Sequence, residues 1–72
     1  MDRPLDVLNQ AKGKRVVVCL KNKKEVSGTL KAVDIHLNVW LEDASVTDDE
    51  KTTKYGKMLV RGDTIVFASP TD

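Results

Sequence analysis

One cysteine, Cys19, and one histidine, His36, are all the sequence holds of these two residue types. A lone thiol excludes an internal disulfide, and the two together fall short of the four ligands a structural zinc site takes. Cys19 lies in an apolar run, where a thiol packs rather than reacts, and its solitude agrees with a reducing compartment. No stretch approaches the roughly 20 apolar residues needed to span a bilayer. The N-terminus has no basic region followed by a long apolar segment, so no secretory signal is expected and a cytoplasmic protein is. An excess of one charge is missing too: twelve basic residues against eleven acidic leave a net charge of +1. Proteins that grip duplex nucleic acid mainly through its phosphates carry an obvious basic excess, so that class is disfavoured. Internal repeats and low-complexity segments are absent. The 72 residues make a single domain, 1–72. A domain of about 60 residues buries only about 60% of its unfolded surface. With disulfides and metal set aside, self-association is the remaining support for so small a fold.

What charge there is, is patterned. Lys12, Lys14, Arg15, Lys21, Lys23 and Lys24 crowd the first third, and Glu42, Asp43, Asp48, Asp49 and Glu50 crowd the middle. The acidic group reads as a solvated loop. For the basic third, a solvated loop and a binding surface are both open readings.

Pro4 suits the first turn of a helix, where its missing N–H costs nothing. Leu5, Val7 and Leu8 add an apolar stripe at helical spacing, and Gly13 ends the segment, so a short helix is expected over about 3–12. From Lys14 the period changes to two and β-branched residues dominate. Strands are expected at about 14–21, 25–34, 36–43, 53–61 and 64–68. Val16, Val18 and Leu20 supply one core parity, followed by Val26, Leu30 and Ala32 and then by Leu37, Val39 and Leu41. Gly28 inside a strand marks a sharp bend or a close backbone approach. The polar stretch from Asp43 to Thr52 shows no apolar pattern and is expected as a loop. One helix followed by five short strands with brief connections implies a mostly β fold: a small, strongly bent antiparallel sheet closing towards a barrel. Val17, Cys19, Val60 and Val66 are apolar on the parity opposite the core. The last two strands are short and apolar, with neither proline nor inward charge to block edge pairing. Pairing that edge with another copy buries it, and head-to-tail pairing with a suitable rotation closes into a ring; a bent sheet that covers its own edges is the alternative and fits the small core less well.

Two clusters carry chemistry. In Asp34-Ile35-His36-Leu37-Asn38, strand alternation places Asp34, His36 and Asn38 on the face opposite Leu37 and Val39. An imidazole offers a flat surface for stacking, and an asparagine offers an acceptor and two donors that match a uracil edge. An exposed strand face would show the same triplet. The second cluster is Arg61-Gly62-Asp63. Gly62 supplies the backbone freedom of a tight turn, and Arg61 can lay its planar guanidinium against a base. Asp63 either caps the turn or accepts a hydrogen bond from Asn38. The tripeptide also spells a cell-adhesion motif, which the absence of any secretory signal sets aside.

Gly28-x-Leu30, Asp34-x-His36-x-Asn38 and, after a spacer, Val60-Arg61-Gly62-Asp63-x-Ile65 resemble the two Sm motifs in order. The opening Arg3-Pro4-Leu5-Asp6-Val7-Leu8 and the closing Val66-Phe67-Ala68-Ser69-Pro70 resemble archaeal Sm-like proteins in particular, so the resemblance spans essentially the whole chain. It implies an N-terminal helix capping a five-stranded, strongly bent antiparallel sheet, with last strand paired to a neighbour's fourth strand in a ring, usually of seven. It implies single-stranded, uridine-rich RNA bound around a central pore, and other RNA-processing proteins as further partners. By that pattern His36 stacks on a base, Asn38 reads its edge and Arg61 stacks from the neighbouring loop. Asp63 orients Asn38, Gly62 offers its backbone, and Asp34 supports the loop. Arg3, near the helix start, becomes a candidate secondary RNA contact. No cofactor is implied. Two departures are mild: His36 stands where eukaryotic relatives often carry another aromatic, and Trp40 occupies a site more often aliphatic. Trp40 has two roles open to it, stacking on RNA or packing against a neighbouring subunit, and interfaces favour aromatics.

The rival to an RNA-binding ring is a protein–protein scaffold ring that binds no RNA itself. A hydrolase is the third reading, with His36, Asp34 and one of Ser27, Ser45 or Ser69. No serine lies in a nucleophile elbow or beside a base by any spacing, so an enzyme is not expected.

Overall fold

The structure is a computed structural model that describes residues 4–71. It opens with helix α1, Pro4–Gln10. At seven residues the helix is too short to persist alone and depends on docking. Its exit is a tight turn in which the Ala11 N–H donates to the Leu8 carbonyl and Lys12 to that of Asn9. Gly13 then takes φ +86, a conformation that favours glycine. Its N–H donates to the Leu30 carbonyl at 2.8 Å, while the Leu30 N–H donates to Lys14 at 2.9 Å. The helix therefore ends two residues earlier than its apolar stripe suggests, and Ala11 drops into the core.

Five strands follow: β1 Arg15–Leu20, β2 Glu25–Val33, β3 Val39–Asp48, β4 Lys51–Val60 and β5 Ile65–Pro70. They form one antiparallel sheet in the order β4-β3-β2-β1-β5. The fold is the expected one, a short helix and a bent open sheet. The core is Val16 and Val18 from β1, Val26 and Leu30 from β2, Val39, Leu41 and Ala44 from β3, and Val60 from β4, with Ala11 beneath. Leu30 and Leu41 are fully buried; truncating either to alanine removes packing worth about 2–5 kcal/mol.

The bend has a local cause. Between β2 and β3 the register slips around Gly28, where Asp43 adopts φ +51. A Cβ on Gly28 would stand 3.2 Å from the Ala44 Cα, the Glu42 carbonyl and the Leu41 Cβ, so glycine here permits the close backbone approach its position suggests. Arg15 fastens the bulge from β1, its Nη1 donating to the Asp43 carbonyl at 2.9 Å and carboxylate at 3.1 Å. The bulge lets core parity pass from Leu41 to Ala44.

Four expectations change. The third strand begins at Val39, leaving His36 and Asn38 in a turn. The polar stretch 43–52 is not a loop but the outer half of a β3–β4 hairpin, turning at Asp49 with φ +57. Its apolar alternation is sparse because only Ala44 and Val46 of its β3 side face the core, and β4 is exposed from Lys51 to Lys57. Val60 pairs with Val39 and is buried rather than turned outward. Ala32 is exposed, because a second register slip between Leu30 and Ala32 breaks the parity. β4 and β5 are the two free edges. β4 is ten residues long and carries Lys51, Lys54 and Lys57, so the apolar edge is confined to its last turn of chain and to β5, where Val66 is 62% exposed.

Candidate functional site

β2 stops at Val33 because Asp34 folds the chain back on itself. The Asp34 N–H donates to the Asn38 carbonyl at 3.1 Å, and the Leu37 N–H donates to the Asp34 carbonyl at 3.0 Å. Leu37 pays for that turn with φ +61, a left-handed conformation a leucine seldom adopts. Such strain persists only where surrounding bonds over-determine it. Here they do: one carboxylate oxygen of Asp34 accepts the N–H groups of His36 at 2.8 Å and Asn38 at 3.0 Å. The other accepts the Asn38 side-chain amide at 3.0 Å. The Asn38 amide is the main influence holding the Asp34 carboxyl below its ordinary value of 3.8, opposed by desolvation and aided by the two backbone N–H groups.

The second wall is the loop from β4 to β5. Gly62–Thr64 form one 3-10 turn, closed by the Thr64 N–H and hydroxyl donating to the Arg61 carbonyl at 3.1 and 2.7 Å. The Gly62 N–H donates to the Asn38 side-chain oxygen at 2.8 Å, joining the two loops. No other residue fits at position 62, since a Cβ would collide with the His36 carbonyl oxygen and stand 2.8 Å from the Leu37 carbonyl carbon. Arg61 Nη2 donates to the Asp63 carboxylate at 2.8 Å.

His36, Asn38, Arg61, Gly62 and Asp63 thus line one open cleft of about 510 Å³. Its chemistry is set by Asn38. A carboxylate only accepts and a backbone N–H only donates, so the amide orientation is fixed from both ends. One N–H and one oxygen lone pair remain for a ligand, beside the exposed imidazole and guanidinium.

Three sequence expectations are revised by this geometry. Asp34, His36 and Asn38 come together through a turn, not a shared strand face. Asp34 orients Asn38, whereas Asp63 is folded onto Arg61. The Gly62 N–H is engaged by Asn38 and its carbonyl by the N–H of Ile65, so its backbone acts inside the site. Arg3 lies outside the described residues. Trp40 is 37% exposed on β3, between Ala32 and Leu59 in the sheet. Sequence reasoning missed an apolar groove of about 390 Å³ where α1 faces β5, lined by Val7, Leu8, Leu37, Ile65 and Val66 among others. Among the described residues no group of three or more acidic, histidine or cysteine side chains is placed to hold a metal. No described helix is long and apolar enough to cross a membrane.

The LSM domain model matches residues 6–70. An snRNP Sm-like protein of Pyrococcus horikoshii is 49% identical over 72 residues, covering 99% of this chain and 96% of that protein. One of Archaeoglobus fulgidus is 48% identical over 69 residues, covering 94% and 90%. Among solved structures, the Sm protein of Pyrococcus abyssi in complex with a uridine heptamer superposes with a TM-score of 0.91 at 45% identity, covering 97% of this chain and all of that one. A heptameric archaeal Sm protein superposes with a TM-score of 0.86 at 39% identity, covering 92% and 97%.

Proposed function

The chain belongs to the LSM domain family of Sm-like proteins, and on that premise we propose that its copies form a ring holding single-stranded, uridine-rich RNA. The observation that carries this reading is the Asn38 amide, immobilised at both ends beside an exposed His36 and Arg61. A base slides between imidazole and guanidinium, and the remaining N–H and lone pair of Asn38 meet a carbonyl and an adjacent N–H on its edge. Uracil offers that pair. Arg61 is tethered to Asp63 at 2.8 Å, which removes part of the entropy cost of stacking. The uridine heptamer bound by the P. abyssi protein supports the same ligand class here.

The ring follows from the edges. β4 and β5 each have one neighbour within the sheet, and antiparallel pairing of β5 with β4 of the next copy leaves no edge exposed. Seven copies is the number its heptameric archaeal relative supports. Base–aromatic stacking contributes about 1–3 kcal/mol per base. Repetition around a ring multiplies that contribution, because linked bases bind at effective concentrations that reach the millimolar range. The cleft is lined by His36, Asn38, Arg61, Gly62 and Asp63, groups that can stack on a base and hydrogen-bond its edge, and this supports a binding role in RNA processing or ribonucleoprotein assembly.

Titrating oligouridine against the wild-type ring and the His36→Ala and Asn38→Ala rings tests the reading, with native mass spectrometry reporting subunit number on the same samples. Both substitutions should weaken binding while the ring persists. Unchanged affinity in both would leave the scaffold ring as the better description.

A further inference from the structure

The charge inside the cleft does not suit a polyanion. Arg61 is tied to Asp63 at 2.8 Å, and the carboxylate of Asp34 stands directly behind Asn38. One permanent cation therefore faces two carboxylates, while each nucleotide brings a phosphate with its base. Positive charge must come from the rim.

The turn between β1 and β2 supplies it. The Lys21 N–H donates to the Thr64 carbonyl at 2.8 Å, and Leu20 pairs with Ile65, so this turn is bonded to the end of the Arg61–Thr64 loop that forms one cleft wall. The turn is built rigidly. The Leu20 and Lys23 N–H groups close it onto Lys24 and Leu20, both at 2.9 Å, and the Lys24 N–H donates to the Asn22 side chain at 3.0 Å. Lys23 sits at φ +71 at its tip. Lys21 and Lys23 are exposed and make no ion pair among the described residues. Their neighbours differ: Lys24 pairs with Asp48 at 3.8 Å, and Arg15 with Asp43 at 3.1 Å. Glu25 follows the turn at the start of β2, so two free cations stand beside one free carboxylate.

We propose that Lys21 and Lys23 bind the phosphates of the RNA strand whose base occupies the adjoining cleft. The inference rests on the cleft binding RNA. It gives the lysines a part the cleft cannot play: they add affinity without reading sequence, and most of the salt dependence of binding passes through them. Repeated around a ring, the turns form a basic collar beside the base sites.

The test compares oligouridine binding across a salt series for wild type, Lys21→Gln/Lys23→Gln, Lys21→Arg/Lys23→Arg and a control, Lys54→Gln, on exposed β4. Lys21 and Lys23 are exposed, and Lys54 lies on β4 outside the apolar end that pairs with the next copy, so rings of unchanged mass and melting temperature are expected. The glutamine pair should flatten the log–log slope by about 0.7 for each phosphate that is no longer neutralised, with the preference for oligouridine over oligocytidine intact. The arginine pair and Lys54→Gln should retain the wild-type slope. An unaltered slope in the glutamine pair overturns the proposal, as does equal flattening by Lys54→Gln, which would make the effect one of bulk charge. Failure of the base site itself reads out differently, as a base preference indifferent to His36→Ala and Asn38→Ala.

Discussion

Two turns of this chain both open on an aspartate and have opposite character. The turn from Asp34 to Asn38 and the hairpin tip from Asp48 to Lys51 each begin with an aspartate and hold one non-glycine residue at positive φ, Leu37 and Asp49 respectively. In the first, one carboxylate accepts three hydrogen bonds and the turn is bonded onward to Gly62. In the second, the only side-chain partner of Asp48 among the described residues is Lys24 at 3.8 Å, and both groups are well exposed. Backbone conformation makes both of them turns; only the bonding makes one of them a site. An asparagine that is already held presents its remaining donor without an entropy cost on binding, whereas a solvated tip presents nothing fixed.

The most damaging way to break that contrast is at Gly62. Gly62→Ala drives a methyl group into the His36 and Leu37 carbonyls and separates the two loops, so we expect a loss of about 2 kcal/mol or more by denaturant unfolding, with oligouridine binding abolished. Gly56→Ala is the matched control for packing within the subunit, where nothing among the described residues lies within 4 Å of its added methyl. It should be stable to within about 0.5 kcal/mol. Equal destabilisation of the two would mean that position 62 tolerates a side chain by moving the turn.

Next comes Asp34→Ala, which frees the Asn38 amide and releases the strained Leu37. Oligouridine affinity should fall at least tenfold, on the order of the free energy that one stacked base supplies. Asp48→Ala, at the other turn, should leave affinity unchanged. If the two variants behave alike, the bonding difference between the turns has no functional weight.

Acid sharpens the same comparison. Asp34 has a lowered folded-state value, so its contribution is complete above the ordinary 3.8 and is lost as pH falls through the lowered value. Proton uptake by Asp34 should therefore be displaced to lower pH in the folded ring than in the unfolded chain, an effect visible in the carboxyl 13C shift during an NMR titration. A carboxyl shift that titrates at the ordinary value would show that the amide bond is not maintained in solution.

How much of this was legible in the sequence depends on which physical signal each part carries. Core strands announce themselves by alternation, and Val16, Val18, Val26, Leu30, Val39 and Leu41 are buried as their parity implies. The outer half of the β3–β4 hairpin does so too sparsely, because Ala44 and Val46 face the core on β3 while Lys51 to Lys57 on β4 are exposed throughout. The identity of the cleft residues was visible through their resemblance to the Sm motifs, and the structure gathers His36, Asn38, Arg61, Gly62 and Asp63 around one opening. Their division of labour was not visible. Period-two reasoning carried the strand through Asp34 to Asn38, while three bonds to one carboxylate make a turn there instead. Bulges are equally silent, and they alone determine that Ala32 faces out and Ala44 faces in.

The finest test separates the two aspartates of the cleft. If Asp34 alone aims Asn38, removing Asp63 leaves the amide in place and frees only the Arg61 side chain. That pair is well exposed, at 73% and 62% of its side chains, so its contribution is small. Asp63→Ala should weaken oligouridine binding by no more than about fivefold, the reach of an exposed ion pair, and should leave the preference over oligocytidine intact. Asn38→Ala should erase that preference. A loss of preference in Asp63→Ala as complete as in Asn38→Ala would return to Asp63 the orienting role the Sm motif assigns it, and would mean that RNA draws its carboxylate away from Arg61 and towards the amide. The intermediate design Asp63→Asn keeps a hydrogen-bond acceptor for Arg61 without the charge. It should fall between wild type and Asp63→Ala if tethering the guanidinium is what Asp63 contributes.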